Sequence, residues 1–334
     1  MDYKNTIISQ LDIIRKDEIF NSQPFKAKAY QTVISQIKNI KHNISSFDDL
    51  KEVTGIGEKM RLKIEEIFKF GKLQKAESIF YNNDSTSIQI FSNIYGVGPV
   101  KAKELVSEYK IKSIADLRLA VKKDTKILND KQKIGLKYYE DLMERIPRKE
   151  MDSHNKYIIE KIRHVTTAKL TSCIVGSYRR KSECSGDIDV LITSTSSKTT
   201  YIEMVTMFNN VINAFIKDKY MVELLATGPK KCLAICKING TNSISRRIDL
   251  LLTLRHEYIY SILYFTGSAS FNVKMRSKAL ELGYTMNEYG LKPVESNKNN
   301  KDKKGEEIPI PVMTCEKDVF DFLKMDYLEP ENRT

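Results

Sequence analysis

Apolar residues recur every three or four positions through the first half of the chain. Ile7, Leu11 and Ile14 form one such stripe, and Tyr30, Val33, Ile34 and Ile37 form another. That spacing gathers each set on one face of an amphipathic helix. The second half changes period. Thr171–Val175, Ile188–Thr193 and Ile248–Thr253 are short β-branched runs that read as strands, while residues 201–218 return to helical spacing. Ser194–Thr200 is a polar turn between them, and residues 296–307 form a charged, solvated loop. The predicted order is helical modules first and an α/β unit afterwards.

Two segments of the helical half share one frame, Val53-Thr54-Gly55-Ile56-Gly57 and Ile94-Tyr95-Gly96-Val97-Gly98, each leading into an amphipathic helix. Pro99 suits the first turn of the second helix. A Gly-x-Gly turn leaves backbone N–H groups open at a helix N-terminus, where a phosphate can approach closely. Such contacts carry no base information. One copy is often only a helix cap. Two copies in one frame favour a grip on a nucleic-acid backbone over simple helical packing.

The length of 334 residues allows two or three domains, each with its own core. No apolar stretch suits a membrane-spanning helix, and the N-terminus lacks the apolar core of a signal peptide, so a soluble intracellular protein is expected. Cys173, Cys184, Cys232, Cys236 and Cys315 are scattered without a CxxC pair, which predicts reduced thiols rather than a zinc site. The net charge is +12. The positive excess spreads over the first three quarters and is absent from residues 261–334, as suits a polyanion touching several modules.

The segment from Gly176 to Val190 carries the chemistry. In the predicted strand beginning at Ile188, alternation sets Asp187 and Asp189 on one face, with Ile188 and Val190 on the other. Paired carboxylates repel unless a cation lies between them, and their oxygens suit a hard divalent metal. A third acid stands in Arg246-Arg247-Ile248-Asp249-Leu250-Leu251. With the strands adjacent, Asp249 completes a triad able to hold two Mg²⁺ ions (or Mn²⁺) for in-line phosphoryl transfer. The Gly176-Ser177 turn and Arg180 would grip phosphates. A bare Asp-x-Asp is commonly a solvated surface strand. Gly-Ser about ten residues upstream, with basic residues between, is the nucleotidyltransferase signature.

Lys59 and Lys63 lie four apart, hence on one helix face, with Lys26 and Lys75 in neighbouring predicted helices. Crowded ammonium groups depress an amine's pKa and leave it able to attack an aldehyde, such as C1′ of an abasic 5′-deoxyribose phosphate. From spacing alone, a solvated lysine face is the default reading.

Gly176-Ser177-Tyr178-Arg179-Arg180, Ser185-Gly186-Asp187-Ile188-Asp189-Val190, Arg246-Arg247-Ile248-Asp249 and Tyr264-Phe265-Thr266-Gly267-Ser268 with Phe271-Asn272 stand beside the paired hairpins. With these motifs the chain resembles the polymerase-beta-like, family X DNA polymerases from about Phe25 to Glu329. The resemblance implies a multidomain α plus α/β fold. A helix-hairpin-helix lyase domain (1–80) and a second helical DNA-binding subdomain (81–145) would precede a mixed-sheet nucleotidyltransferase palm (146–255) and a nascent-base-pair-binding subdomain (256–334).

It also implies roles. Asp187, Asp189 and Asp249 become the metal ligands, with Asp249 the acceptor of the primer 3′-hydroxyl proton. Arg145, Ser177, Arg180 and Gly186 would contact the triphosphate. Tyr264, Phe265 and Gly267 would line the sugar, and Asn272 would reach the minor-groove edge of the incoming base. Arg276 would meet the template, and Lys231 the DNA. Lys63 matches the Schiff-base lysine, Lys26, Lys51, Lys59 and Lys75 the phosphate-binding lysines, and Tyr30 their neighbouring tyrosine. In the hairpins, Gly55, Gly57, Gly96 and Gly98 would meet the DNA backbone. A monovalent cation (Na⁺ or K⁺) would sit on the carbonyls of Lys51, Val53 and Ile56, and another on those of Ser92, Ile94 and Val97.

Four positions depart from the pattern. Phe25 stands for the family's histidine, Ala269 for an acid, Val273 for a lysine, and Leu251 for an arginine that helps switch an aspartate. The function implied is templated gap filling with deoxyribose-phosphate lyase activity in base excision repair, by a monomer acting on gapped or nicked DNA and dNTPs. A template-independent or translesion member and a non-catalytic gapped-DNA scaffold are the alternatives. The resemblance suggests the nucleus, with Lys301–Lys304 the one basic cluster resembling an import signal. An Asn-, Ile- and Lys-rich composition hints at an AT-rich viral or parasite genome, which would move it to the cytoplasm or virion.

Overall fold

The computed structural model describes residues 2–20, 23–80, 83–238, 243–294 and 310–333. The predicted charged loop 296–307 and the basic cluster 301–304 lie outside them. The chain divides into two compact units, Met1–Tyr139 and Glu140–Thr334.

Unit one is helical, as the periodicity predicts. Helices Lys4–Phe20 and Pro24–Asn39 bury Ile7, Leu11 and Ile14 against Tyr30, Val33, Ile34 and Ile37, and helix Glu58–Phe70 adds Met60, Ile64 and Ile67. A second core within this unit gathers Phe91, Ile94, Ala102, Leu105, Leu117 and Leu136. The two glycine turns adopt the same backbone. Gly55 and Gly96 sit at φ +88° and +80°, where a Cβ would be strained, and Gly57 and Gly98 are the N-caps of helices Glu58–Phe70 and Pro99–Ser107. Gln36 braces the first turn, its amide donating to the Thr54 carbonyl at 2.9 Å and its oxygen accepting the Thr54 N–H at 2.9 Å. Gln132 braces the second by donating to the Gly96 carbonyl at 3.1 Å.

Among its described residues, unit two holds nine short strands: β1 (Ile146–Pro147), β2 (Leu170–Ile174), β3 (Cys184–Ser185), β4 (Ile188–Ser194), β5 (Met221–Thr227), β6 (Lys231–Cys236), β7 (Arg246–Leu252), β8 (Tyr284–Asn287) and β9 (Gly290–Pro293). The main sheet runs β2-β4-β7-β6-β5. Only β4 and β7 are parallel; the other pairs are antiparallel. Side-chain alternation sorts the central strands cleanly. Ile188, Val190 and Ile192 of β4 and Ile248, Leu250 and Leu252 of β7 face the core beneath helices Arg148–Val165 and Tyr201–Lys217. Leu191 and Leu251 point the other way, into a small cluster with Val175 and Ile262. Asp189 and Asp249 share that second face.

Helix Tyr201–Lys217 begins where the polar turn ends. Thr200 and Glu203 cap each other reciprocally, and Met204, Phe208, Val211, Ile212 and Phe215 bury the apolar face. Helices Tyr258–Thr266, Ala269–Glu281 and Glu316–Phe322 pack with the β8–β9 ribbon around Leu263, Phe271, Met275 and Phe320. Because Phe208 is fully buried under the β4–β7 pair, Phe208→Ala should cost about 3–5 kcal/mol. The urea midpoint of the transition of unit two measures it.

Candidate active site

The parallel pairing of β4 and β7 sets Asp189 directly opposite Asp249, and Asp187 lies one residue ahead of β4. Gly176 closes the site from the β2 side. Its φ is +61°, and a Cβ there would come within 3.0 Å of the Asp189 carboxylate. The three acids are only partly exposed, and their charges are poorly balanced. Burial, with Asp187 and Asp249 adding repulsion, pushes the Asp189 carboxyl up to about 7. Burial likewise raises Asp249, and Arg247 and Lys231 offset it only in part.

Arg247 is the counter-charge, which sequence reasoning did not single out. Its Nη2 pairs with Asp187 Oδ2, while its Nε faces Asp249 Oδ1 at 3.6 Å. That separation is too long for a hydrogen bond, and both atoms are buried without a hydrogen-bond partner. With Asp187 turned onto Arg247, no three His, Cys, Asp or Glu side chains among the described residues stand ready-made as a cation cage. The donor set nevertheless fits a hard divalent cation. It offers three carboxylates on one strand pair, an unsatisfied carboxylate oxygen and a deficit of positive charge.

The residues expected at the triphosphate gather around the β3 turn. The Ser177 hydroxyl donates to Ser185 Oγ at 2.9 Å. Arg145 donates to the Cys184 carbonyl at 3.0 Å, and its guanidinium lies 3.1 Å from where a Gly186 side chain would begin. Arg180 donates to the Thr266 carbonyl. It thereby joins this turn to the segment expected at the sugar, where Tyr264 and Phe265 meet edge to face at 5.1 Å. Asn272 donates to the Tyr264 carbonyl at 2.7 Å, so its amide is held by main chain. Arg276 donates to the Asn272 carbonyl at 3.3 Å on an exposed helix face. Lys231, exposed at the head of β6, pairs in register with Leu251. Leu251 itself is buried in the small apolar cluster with Val175, Leu191 and Ile262. Ala269 opens its helix and Val273 is exposed on it.

Unit one holds a separate cleft of about 570 Å³. Lys26, Tyr30, Gly55, Gly57, Lys59, Lys63 and Lys75 line it. Lys63 Nζ donates to the Lys59 carbonyl at 3.1 Å and lies 5.9 Å from the Tyr30 ring centroid. Glu18, which sequence reasoning also missed, reaches in between Lys26 at 3.9 Å and Lys75 at 3.7 Å. It answers the crowding of the lysines with one nearly buried carboxylate. Lys51 stands apart, paired with Asp48 at 3.1 Å. Phe25 is almost fully exposed beside Lys26. Of the carbonyls expected to hold a monovalent cation, those of Val53, Ile56, Ile94 and Val97 lie in the two turns, where that of Ile94 accepts the Val97 N–H at 2.9 Å. Lys51 follows the short helix Phe47–Leu50, and Ser92 ends helix Asn83–Ser92.

Four family models match the chain in consecutive order. They are a helix-hairpin-helix domain (residues 3–73), the fingers domain of DNA polymerase lambda (89–143), the DNA polymerase beta palm (145–255) and the DNA polymerase beta thumb (261–334). DNA polymerase lambda of Rattus norvegicus is 28% identical over 340 residues, covering 99% of this chain and 56% of the relative. DNA polymerase lambda of Arabidopsis thaliana is 30% identical over 312 residues, covering 91% and 57%. The DNA polymerase type-X family protein pol4 of Schizosaccharomyces pombe is 24% identical over 336 residues, covering 98% and 63%. The chain thus spans less than two thirds of the length of these relatives. The motifs, the α plus mixed-sheet architecture and the unbroken order of the four matches agree: the chain belongs to the polymerase-beta-like family X of DNA polymerases.

Proposed function

We propose that this chain is a template-directed, gap-filling DNA polymerase with an attached 5′-deoxyribose-phosphate lyase, acting in base excision repair. The observation that carries the first half is the register of β4 and β7, which sets Asp189 against Asp249 with Asp187 alongside. The second half is supported by the lysine-lined cleft around Lys63. The working modules we infer are 1–80, 81–145, 146–255 and 256–334.

Members of this family depend in general on divalent metal. Asp187, Asp189 and Asp249 would hold two such ions, which when bound neutralise charge on the triphosphate and on the attacking oxygen. Asp249 receives the proton of the primer 3′-hydroxyl. Arg145, Ser177, Arg180 and the Gly186 backbone orient the triphosphate. Arg247 must release Asp187 before that carboxylate can bind a cation. Tyr264, Phe265 and Gly267 present a wall to the sugar, Asn272 meets the base, and Lys231 and Arg276 meet the DNA.

In the cleft of unit one, the amine of Lys63 attacks C1′ of the sugar aldehyde and expels water. Loss of a C2′ proton then breaks the C3′–O bond and frees the downstream 5′-phosphate. Lys26, Lys59 and Lys75 offer charge to the sugar phosphate. The Gly55-Ile56-Gly57 and Gly96-Val97-Gly98 turns grip the DNA backbone through open N–H groups, each with a monovalent cation on its carbonyls. The protein works as a monomer, and the nucleus is the compartment that this role implies. No helix of the described residues is long and apolar enough to cross a membrane.

A one-nucleotide gapped duplex carrying a 5′-deoxyribose phosphate tests both halves. With Mg²⁺ and the four dNTPs, Asp249→Ala should lower templated insertion at least about a thousandfold and leave borohydride trapping intact. Lys63→Ala should reduce the trapped adduct at least about tenfold and leave insertion intact. Absence of templated insertion by the unaltered protein sinks the polymerase reading.

The acid cluster also sets a pH dependence. The Asp189 carboxyl is about 7 in the fold and near 4 when unfolded, so its contribution to stability is full below about pH 4. That contribution is lost as pH rises towards 7. In chelator, the Tm of the unaltered protein should therefore fall between pH 5 and 8 relative to Asp189→Asn. Parallel Tm curves for the two proteins would contradict the assignment.

A further inference from the structure

One buried ionic cluster has no part in the chemistry above. Arg333 has no exposed surface, and the Glu316 side chain is only 10% exposed. Glu316 accepts two hydrogen bonds from Arg179, at 2.9 and 2.7 Å, and one from Arg333 at 2.7 Å. Burial acts to raise its pKa, yet the two guanidiniums hold it below the usual carboxylate range. Arg333 also donates to the Leu328 carbonyl at 2.9 Å and lies over the rings of Phe271, Phe320 and Tyr327. Taking three charges out of water is costly, and apolar residues would fill the same space without that cost. What an ionic cluster adds is direction: planar guanidiniums fix where their neighbours lie.

Those neighbours form one turn. Arg179 donates to Thr266 Oγ1 at 2.8 Å, and the next residue, Arg180, donates to the Thr266 carbonyl. On the far side, the Ser268 N–H donates to the Arg333 carbonyl at 3.1 Å. Both flanks of Gly267 are thus pinned, and Glu316 joins the two pins. A glycine turn offers the sugar main chain and no side chain. It can reject an added 2′-hydroxyl only if its position holds to well under an ångström.

We propose, resting on the polymerase reading, that Arg333 is a positioning residue that fixes the Thr266-Gly267-Ser268 turn through Glu316 and the Ser268 N–H. In this way it sets discrimination against ribonucleotides. Arg333 does not touch substrate; it acts through the turn.

The test compares the unaltered protein with Arg333→Lys and the near-isosteric Glu316→Gln. Insertion of dCTP and of rCTP opposite guanine is measured on a one-nucleotide gap. Both variants should lower the dCTP-over-rCTP ratio of kcat/KM by about tenfold, mostly through a lower KM for rCTP. Hydrogen exchange in residues 264–272, measured without DNA, should quicken in parallel. Thermal unfolding identifies the variants that fold. If Arg333→Lys does not, Glu316→Gln decides. A ratio within about twofold of the unaltered protein, in a variant whose Tm falls, makes the cluster a purely structural brace and overturns the proposal. An unaltered protein that inserts neither nucleotide overturns the polymerase reading. That failure is separate, because the exchange experiment still reports on the turn.

Discussion

Like charge gathered in one place is the constraint on which unit two is built. The parallel register of β4 and β7 leaves no freedom: once Ile188, Val190, Ile248 and Leu250 take the core, Asp189 and Asp249 must share the opposite face. A slip of one residue in either strand would bury a carboxylate and expose an aliphatic. The apolar core therefore enforces a repulsion that no apolar contact relieves. Arg247 relieves part of it from within the chain. The remainder adds to burial, the larger cause, in raising Asp189.

The same theme recurs around the site. Arg246, nearly fully buried, is held by Glu150 at 2.7 and 2.8 Å and by the Glu144 carbonyl at 3.0 Å, which ties the head of β7 to helix Arg148–Val165. Adjacent arginines thus divide their work, with Arg246 anchoring the strand and Arg247 balancing the acids. Arg179 and Arg180 divide theirs in the same way, one turned to Glu316 and one to the Thr266 backbone. Arg246 and Arg247 diverge because a strand sends successive side chains to opposite faces, whereas Arg179 and Arg180 meet again at Thr266.

Local patterns in the sequence were enough to recover much of this. The stripes at Ile7–Ile14 and Tyr30–Ile37 are buried in the structure, and the three β-branched runs are strands within two residues of their predicted ends. Helix Tyr201–Lys217 follows its period and its cap. Strands β5 and β6 were not visible, since Met221–Thr227 pairs through register shifts and neither segment alternates cleanly. The two-residue strands β1 and β3 carry no pattern to detect. Within the site, the acids announced themselves by spacing. Glu18, Arg247 and Glu316 did not, because each takes its meaning from a partner folded against it. Arg179 and Glu316 are 137 residues apart, and no local pattern in the sequence encodes that meeting.

The two glycine turns have a consequence of another kind. Gly57 and Gly98 cap helix starts, where the first N–H groups lack partners within the helix, and a side chain added at either glycine would meet nothing within 4 Å. A hold made of peptide N–H groups has no proton to lose as acidity changes and no thiol or indole to oxidise. Nor can it be removed by exchanging one exposed side chain for another. In the proposed role, two such turns in one unit would make the hold bivalent for any polyanion long enough to reach both, so that one could let go while its twin retained the strand. The surrounding surface would then be free to drift in sequence while such a grip endured.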